Sequence, residues 1–325
     1  MSRFISTTRS LILTAVLALI PFAALTQAYP SKAVRLVVPF PPGGSADAAA
    51  RPLAEKMGAI IGQSFVVDNK PGGLTVIGAD IVAKAPSDGY TLFIMPGTHV
   101  LSPMLVKSVP FHPIRDFTTI GMIATIPYVI FSDSKQPFSN MKELIAYARA
   151  NPGKLSIGTT DSPSRLVVES LNASAKIQLN NINYKGAAQL ATDVVGGHTH
   201  LGVLTPPSLL AFYKEKRIQA LGITGNNRLT AMPAVPTVAE AAGIHDHNFQ
   251  TWFALAGPAN LPKTVVMQLQ QLLQKVVSEA DMRERLVNQG MEPANDAGTE
   301  TATAYILSEH NRMGKMIQAA GIKPE

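Results

Sequence analysis

The chain has 325 residues, 46% of them hydrophobic and 15% charged, with a formal net charge of +6 and no cysteine. That length supports two lobes with separate cores, and the scattering of the basic residues argues against nucleic acid while suiting a small anionic ligand. Without cysteine there is no disulfide framework, no thiolate zinc site and no thiol nucleophile.

Arg3 and Arg9 precede an apolar run from Leu11 to Leu25 that ends in small residues. Residues 1–28 read as a signal peptide cleaved after Ala28, so the chain is expected to be exported. Pro21 interrupts the run and no stop-transfer pattern follows, which ranks a cleaved leader above a membrane anchor. No later stretch is apolar enough to span a bilayer.

Val34, Leu36, Val37 and Val38 predict a short strand covered on both faces, stopped by Pro39, Pro41, Pro42, Gly43 and Gly44. Ser45 is expected to cap a helix from about Asp47 to Ile61, with Pro52 bending it or delaying its regular start. The glycines let backbone approach a bound group closely, and the first N–H groups of the helix have no internal partner, so an anion is well received there. The device repeats: Phe65 to Val67 is a strand signal, Pro71-Gly72-Gly73 a turn, and Thr75 opens a helix to Ala85. Ser87-Asp88-Gly89 then leads to a third strand, Tyr90 to Met95, ending at Gly97-Thr98-His99. This alternation predicts an α/β lobe with a parallel sheet, whose three strand-end turns converge on one cleft.

Beyond a proline-rich passage, Phe117 to Phe131 is too long for one ordinary strand and is broken by Pro127, as expected of a crossing between lobes. A second α/β series follows. Asn140 and Glu143 form a capping box for a helix that ends at Asn151-Pro152-Gly153. Strands are expected at Leu155–Gly158, Ile182–Tyr184, Leu201–Leu204 and Ala220–Thr224. Thr251 to Gly257 is the return crossing, and Pro262 opens a helix with Val265, Val266, Leu269, Leu272, Leu273 and Val276 on one apolar face. The first lobe is thus assigned to residues 29–126 and 252–325, and the second to residues 127–251.

No GxGxxG follows a strand and no glycine-rich turn ends in Gly-Lys-Ser/Thr, which argues against a nucleotide enzyme. The GxSxG elbow is absent too, so Ser45 reads as a cap rather than a nucleophile. His198 with His200, and His245 with His247, read as surface residues, since a structural zinc site needs four ligands. Asp281 and Glu284 read as a solvated helix face. No metal, cofactor or catalytic residue is expected. What remains is the hydroxyl-rich segment Thr159-Thr160-Asp161-Ser162-Pro163-Ser164-Arg165. Some of these residues cap a helix beginning near Pro163. Arg165 opposes the macrodipole of that helix, and two readings stay open: an anionic partner, or an ordinary salt bridge to Glu169.

PFPPGGSAD followed by Arg51, NKPGG from Asn69 to Gly73, SDGYTL from Ser87 to Leu92, Tyr184-Lys185-Gly186, Gly196-Gly197 and VPTVAE from Val235 to Glu240 form a combination. It resembles the Bug, or TctC-like, family of extracytoplasmic solute receptors of tripartite tricarboxylate transporters, over essentially the whole chain after the leader. The resemblance implies a two-lobed periplasmic binding protein of type II architecture, without catalysis. Such a receptor closes on a small carboxylate and delivers it to membrane permease subunits; Arg165 in the cleft would suit a second carboxylate, which favours dicarboxylates, aromatic ones included. The resemblance implies ligand contacts from Pro41, Gly43, Gly44 and Ser45, from Gly72, Gly73 and Thr75, and from Thr159, Thr160, Ser162, Ser164 and Arg165. Tyr184 and Gly186 lie nearby and Thr205 at a further strand end, while Thr98 joins the set from the third turn. Asp47 matches the family aspartate, and is assigned to holding the turn because its charge would repel an anion. The second-lobe turn departs from the family's Ser-x-Gly-x-Gly-Ser pattern at Thr160 and Asp161, and Arg165 stands where a histidine is common. The alternatives are a secreted hydrolase using Ser45 or Ser162 with a histidine, and a loaded receptor that docks on a sensor ectodomain. A monomer is expected, with no nucleic-acid partner, and Trp252 is placed near the hinge.

Overall fold

The computed structural model describes residues 29–245, 247–319 and 324, so the predicted signal peptide lies outside the described residues. Lys32 onward forms a single unit by contact. Its strands in chain order are β1 (Val34–Val38), β2 (Phe65–Asn69), β3 (Thr91–Pro96), β4 (Phe117–Pro127), β5 (Val129–Asp133), β6 (Ser156–Thr159), β7 (Asn180–Asn183), β8 (Leu201–Leu204), β9 (Ile218–Ile223), β10 (Gln250–Pro258) and β11 (Glu292–Pro293). They form two sheets, ordered β11-β4-β10-β3-β1-β2 and β7-β6-β8-β5-β9, each flanked by helices. The first sheet draws on both ends of the chain and the second on its middle, giving two α/β lobes. The stretch Phe117–Phe131 resolves into β4 and the start of β5, one in each sheet, with Tyr128 between them.

Strand directions decide where the turns point. β1 runs parallel to β2 and β3, and β10 is antiparallel to both β3 and β4, so β1 to β4 all end at the same edge. That edge is where the chain leaves for the second lobe. There, β5 starts at the crossing and pairs antiparallel with β8 and β9, Val129 meeting Leu204 and Ile223 at their far ends. β6 is parallel to β7 and β8. The carboxyl ends of β6 to β9 therefore also face the crossing, and the strand-end turns of both lobes meet along one seam.

Periodicity explains the packing. The helix Lys263–Ser278 buries Val265, Leu269, Leu272, Leu273 and Val276, with Val266 half-buried, and each full burial is worth about 1.5–3 kcal/mol. The expected separation of the cores is only partial. One cluster stays within the second lobe around Val129, Phe131 and Leu190. The larger one runs from Val37 and Phe93 through Tyr128, Phe249 and Trp252 to Leu166 and Ile157, because the crossings are themselves apolar.

Other details correct the sequence reading. Gly44, not Ser45, is the N-cap of the first helix, which spans Ser45–Ile61 with Pro52 inside it and no delayed start. Asn140 caps its helix through the Glu143 N–H, but the Glu143 carboxylate accepts from Ser139 rather than closing the box on Asn140. His247 is buried at 2% exposure, not a surface residue. Asp281 pairs with Lys56 at 2.6 Å, so it is more than a solvated charge. Among the described residues no helix is long and apolar enough to cross a membrane, and no group of three or more ligating side chains is placed to hold a metal.

Candidate functional site

The turn after β1 is held from beneath. Asp47 is 4% exposed and accepts the Gly43 N–H at 3.0 Å, Arg51 Nε and Nη2 at 2.8 Å each, and Asn69 Nδ2 at 3.1 Å. Asn69 Nδ2 also lies 3.0 Å from the Phe40 carbonyl. Burial alone would raise the Asp47 carboxyl, yet Arg51, Gly43 and Asn69 hold it below its usual value. Its charge is spent on joining this turn to the end of β2. Pro41 and Gly43 stay exposed above it.

The turn after β2 is strained. Gly72, Gly73, Leu74 and Thr75 all have positive φ, at 129°, 57°, 49° and 79°. For the β-branched Thr75 this conformation costs on the order of 1–2 kcal/mol, so something must hold it. Ser102, fully buried, lies 3.1 Å from the Leu74 carbonyl and 3.3 Å from both Thr75 Oγ1 and the Thr98 carbonyl. It ties the second turn to the third. Thr98 itself is 4% exposed.

Helix starts at the seam fall into two kinds. Asp161 caps Ser162–Ala175 with its side chain, whereas Ser45–Ile61 behind Gly44, Val76–Ala83 behind Thr75 and Ala187–Val195 behind Gly186 have no side-chain cap. These three follow β1, β2 and β7, two in one lobe and one in the other. Behind Thr75 the Val76 and Ile77 N–H groups are taken up by the Gly73 and Gly72 carbonyls at 3.1 and 3.4 Å, whereas the first-turn N–H groups behind Gly44 and Gly186, at the positive end of each helix, are left to receive an anion.

In the second lobe several of the expected contacts have other duties. Thr159 Oγ1 donates toward Asn181 Oδ1 at 2.9 Å, with Asn183 Oδ1 at 3.2 Å. Ser164 is fully buried and forms a reciprocal capping box with Asp161. The Tyr184 hydroxyl is engaged by Thr199, and burial raises its pKa. In the described structure these three hydroxyls already have partners within the chain. Thr160, Ser162, Arg165, the Gly186 backbone and Thr205 remain. Arg165 Nε is buried and has no hydrogen-bond acceptor among the described residues; Glu169 Oε1 stands 3.9 Å away, close enough for an ion pair but not for a hydrogen bond. The lobes touch where Ser45–Ile61 meets the short turn Pro206–Ser208 just beyond Thr205, and where Pro206 packs on Gly290.

A family model described as the tripartite tricarboxylate transporter family receptor matches residues 49–322. The chain belongs to that receptor family. It is 36% identical over 293 residues to a UPF0065 protein in the tcbD-tcbE intergenic region of Pseudomonas sp. (strain P51), covering 90% of this chain and 87% of that one. It is 30% identical to Protein BugT of Bordetella pertussis over 91% of both chains. Among solved structures, R. palustris Rpa4515 with adipate superposes with a TM-score of 0.86 at 29% identity, covering 91% of this chain and all of that one. The periplasmic binding protein BugD superposes at 0.83, also at 29% identity, over 91% of this chain and 100% of that one. This TctC-family receptor therefore has the periplasmic binding-protein fold and the role of a solute receptor. Sequence reasoning missed two residues that hydrogen-bond to these turns, Ser102, at the Leu74 and Thr98 carbonyls, and Tyr128, whose hydroxyl lies 3.2 Å from an Asp161 carboxylate oxygen. Ser102 carries no local signal. Tyr128 does, because it directly follows the proline that breaks the long apolar run.

Proposed function

We propose that this receptor captures a small carboxylate at the seam between its lobes and delivers it to the membrane permease subunits of a tripartite transporter. The observation that carries the reading is the pair of uncapped helix starts behind Gly44 and Gly186, one in each lobe, at strand ends facing one seam. The similar R. palustris protein holds adipate. The ligand carboxylate would rest on the N–H groups of the turns at Pro41–Ser45 and Gly72–Thr75. Thr98, Thr160, Ser162, Arg165, Gly186 and Thr205 would close around its remainder. The lobes are divided at the crossings, into residues 29–126 with 252–325 and residues 127–251, and hinge there. The chain works in the periplasm as a monomer, after removal of residues 1–28, and without catalysis. Among the described residues, the serines hydrogen-bonded to histidines are Ser156 with His200 and Ser170 with His247, not Ser45 or Ser162. A sensor ectodomain is a second destination that the same loaded form would fit.

A thermal-shift screen over mono-, di- and tricarboxylates tests the reading. A ligand at a hundred times its dissociation constant adds about 2.7 kcal/mol, which for a chain of this size raises Tm by about 5 °C. A panel in which no carboxylate raises Tm while a neutral or cationic solute does would overturn it.

A further inference from the structure

Tyr128 is the residue at which the chain leaves one sheet for the other, with β4 ending at Pro127 and β5 beginning at Val129. Its backbone is clamped at the crossing. The N–H donates to Thr224 Oγ1 at 2.9 Å, and the carbonyl accepts the Thr224 N–H at 2.9 Å. Thr224 Oγ1 also reaches the Phe249 carbonyl, so one threonine joins the outgoing and the returning chain.

The phenol leads from this fixed point into the second-lobe turn. Tyr128 is 1% exposed, and its hydroxyl lies 3.2 and 3.3 Å from the two carboxylate oxygens of Asp161, with Thr251 of β10 beside it. Asp161 Oδ1 simultaneously accepts the Ser164 N–H at 2.7 Å, the bond that starts the helix carrying Ser162 and Arg165. Among the described residues, Tyr128 is the donor to Asp161 that comes from outside the turn. Pro163 of that helix lines a crevice with Gly97, Thr251 and Trp252, so the helix start rests against the first lobe as well.

We propose that the Tyr128 hydroxyl is a positioning group for ligand capture. It fixes Asp161 against the hinge, and through Asp161 it sets the segment Thr159–Arg165 at the angle from which Thr160, Ser162 and Arg165 meet a ligand held by the first lobe. A group at a pivot moves little as lobes rotate, so the bond persists through closure and the turn is ordered before ligand arrives. The inference rests on the seam being the binding site.

Tyr128→Phe keeps the ring and removes the donor. In the unliganded protein, amide hydrogen exchange across Thr160–Arg165 is expected to quicken several-fold relative to the rest of the second lobe. Adipate affinity, measured by calorimetry on the folded protein, is expected to fall about tenfold, the size of a lost hydrogen bond to a charged group. In an Asp161→Asn background, where the amide oxygen still accepts the Ser164 N–H, adding Tyr128→Phe is expected to cost much less. A hydroxyl that served stability alone would lower Tm when removed but leave the folded protein's affinity intact. Unchanged exchange in the turn, or faster exchange with unchanged adipate affinity, overturns the proposal. If the wild type itself fails to bind adipate, the carboxylate found by the thermal-shift screen takes its place; if the screen finds none, the seam reading fails and the exchange measurement alone decides the role of Tyr128.

Discussion

Arg165 Nε is buried without an acceptor, and a charged donor left in that state is costly, so the side chain is poised to gain a partner. The loose ion pair to Glu169 does not satisfy it. If a ligand carboxylate does, Arg165→Ala should weaken carboxylate binding by about 1.5–3 kcal/mol, or roughly ten- to a hundredfold, with the unliganded melting temperature little changed. Calorimetric titration with whichever carboxylate the screen identifies would measure this. Affinity within twofold of the wild type would return Arg165 to the role of surface partner to Glu169.

At the scale of elements, the strained turn Gly72–Thr75 depends on Ser102, which reaches it from beyond β3. Ser102→Ala removes a buried hydroxyl and leaves the Leu74 carbonyl without that donor, a loss of about 1–2 kcal/mol in stability by urea denaturation. Affinity should fall with it, since the turn can relax from its left-handed backbone. Stability lost with no change in affinity would separate the turn from ligand. The elements themselves were legible because each announces itself locally. Val34–Val38 is a buried apolar run, Val265 to Val276 recur on one helix face, and Asn140 with Glu143 marks a helix start. What was not legible lies in side-chain pairings across long separations. Thr159 looked free until its hydroxyl met Asn181 and Asn183 on the neighbouring strand, and Tyr184 until it met Thr199. Sequence located the turns because proline and glycine define them; it could not say which hydroxyls other strands would claim.

For the whole molecule, two buried histidines set the acid limit. Burial lowers His99, enclosed by Phe93, Phe111 and Phe117, and His247, beside Phe249, from 6.5 to about 4. Both are neutral in the fold and take up protons more readily once it opens. Their contribution is therefore complete above about pH 6.5 and is lost as pH falls toward 4, at up to about 3 kcal/mol each. This window lies above the one in which Asp47 and Asp68, both held below their usual value, take up protons. The urea midpoint should drop between pH 6.5 and 4.5, and His247→Gln should flatten the drop; an unchanged slope would show that His247 does not titrate with unfolding. Closure is a second property at this scale. Trp252 is 1% exposed, lies on the return strand beside Gly97 and packs edge-on to Tyr305 at 6.3 Å. Saturating ligand should reduce the radius of gyration in solution scattering and shift tryptophan emission in parallel. Scattering that shows no compaction would argue against a hinged mechanism, whatever the indole does.

β10 lies between β3 and β4 in the first sheet, although most of the second lobe separates it from them along the chain. Until residue 250 has emerged and threaded into that gap, β1 to β3 have no connection to β4, and the strands that carry the glycine turns cannot complete a sheet. The second sheet has no such wait, since β5 to β9 are contiguous. Assembly is therefore ordered in time: the middle of the chain can consolidate first, and the amino-terminal strands remain open until the carboxyl-terminal quarter arrives. A fragment ending at Phe249 should accordingly protect amides of β5, β6 and β8 from exchange while leaving those of β1 and β3 unprotected.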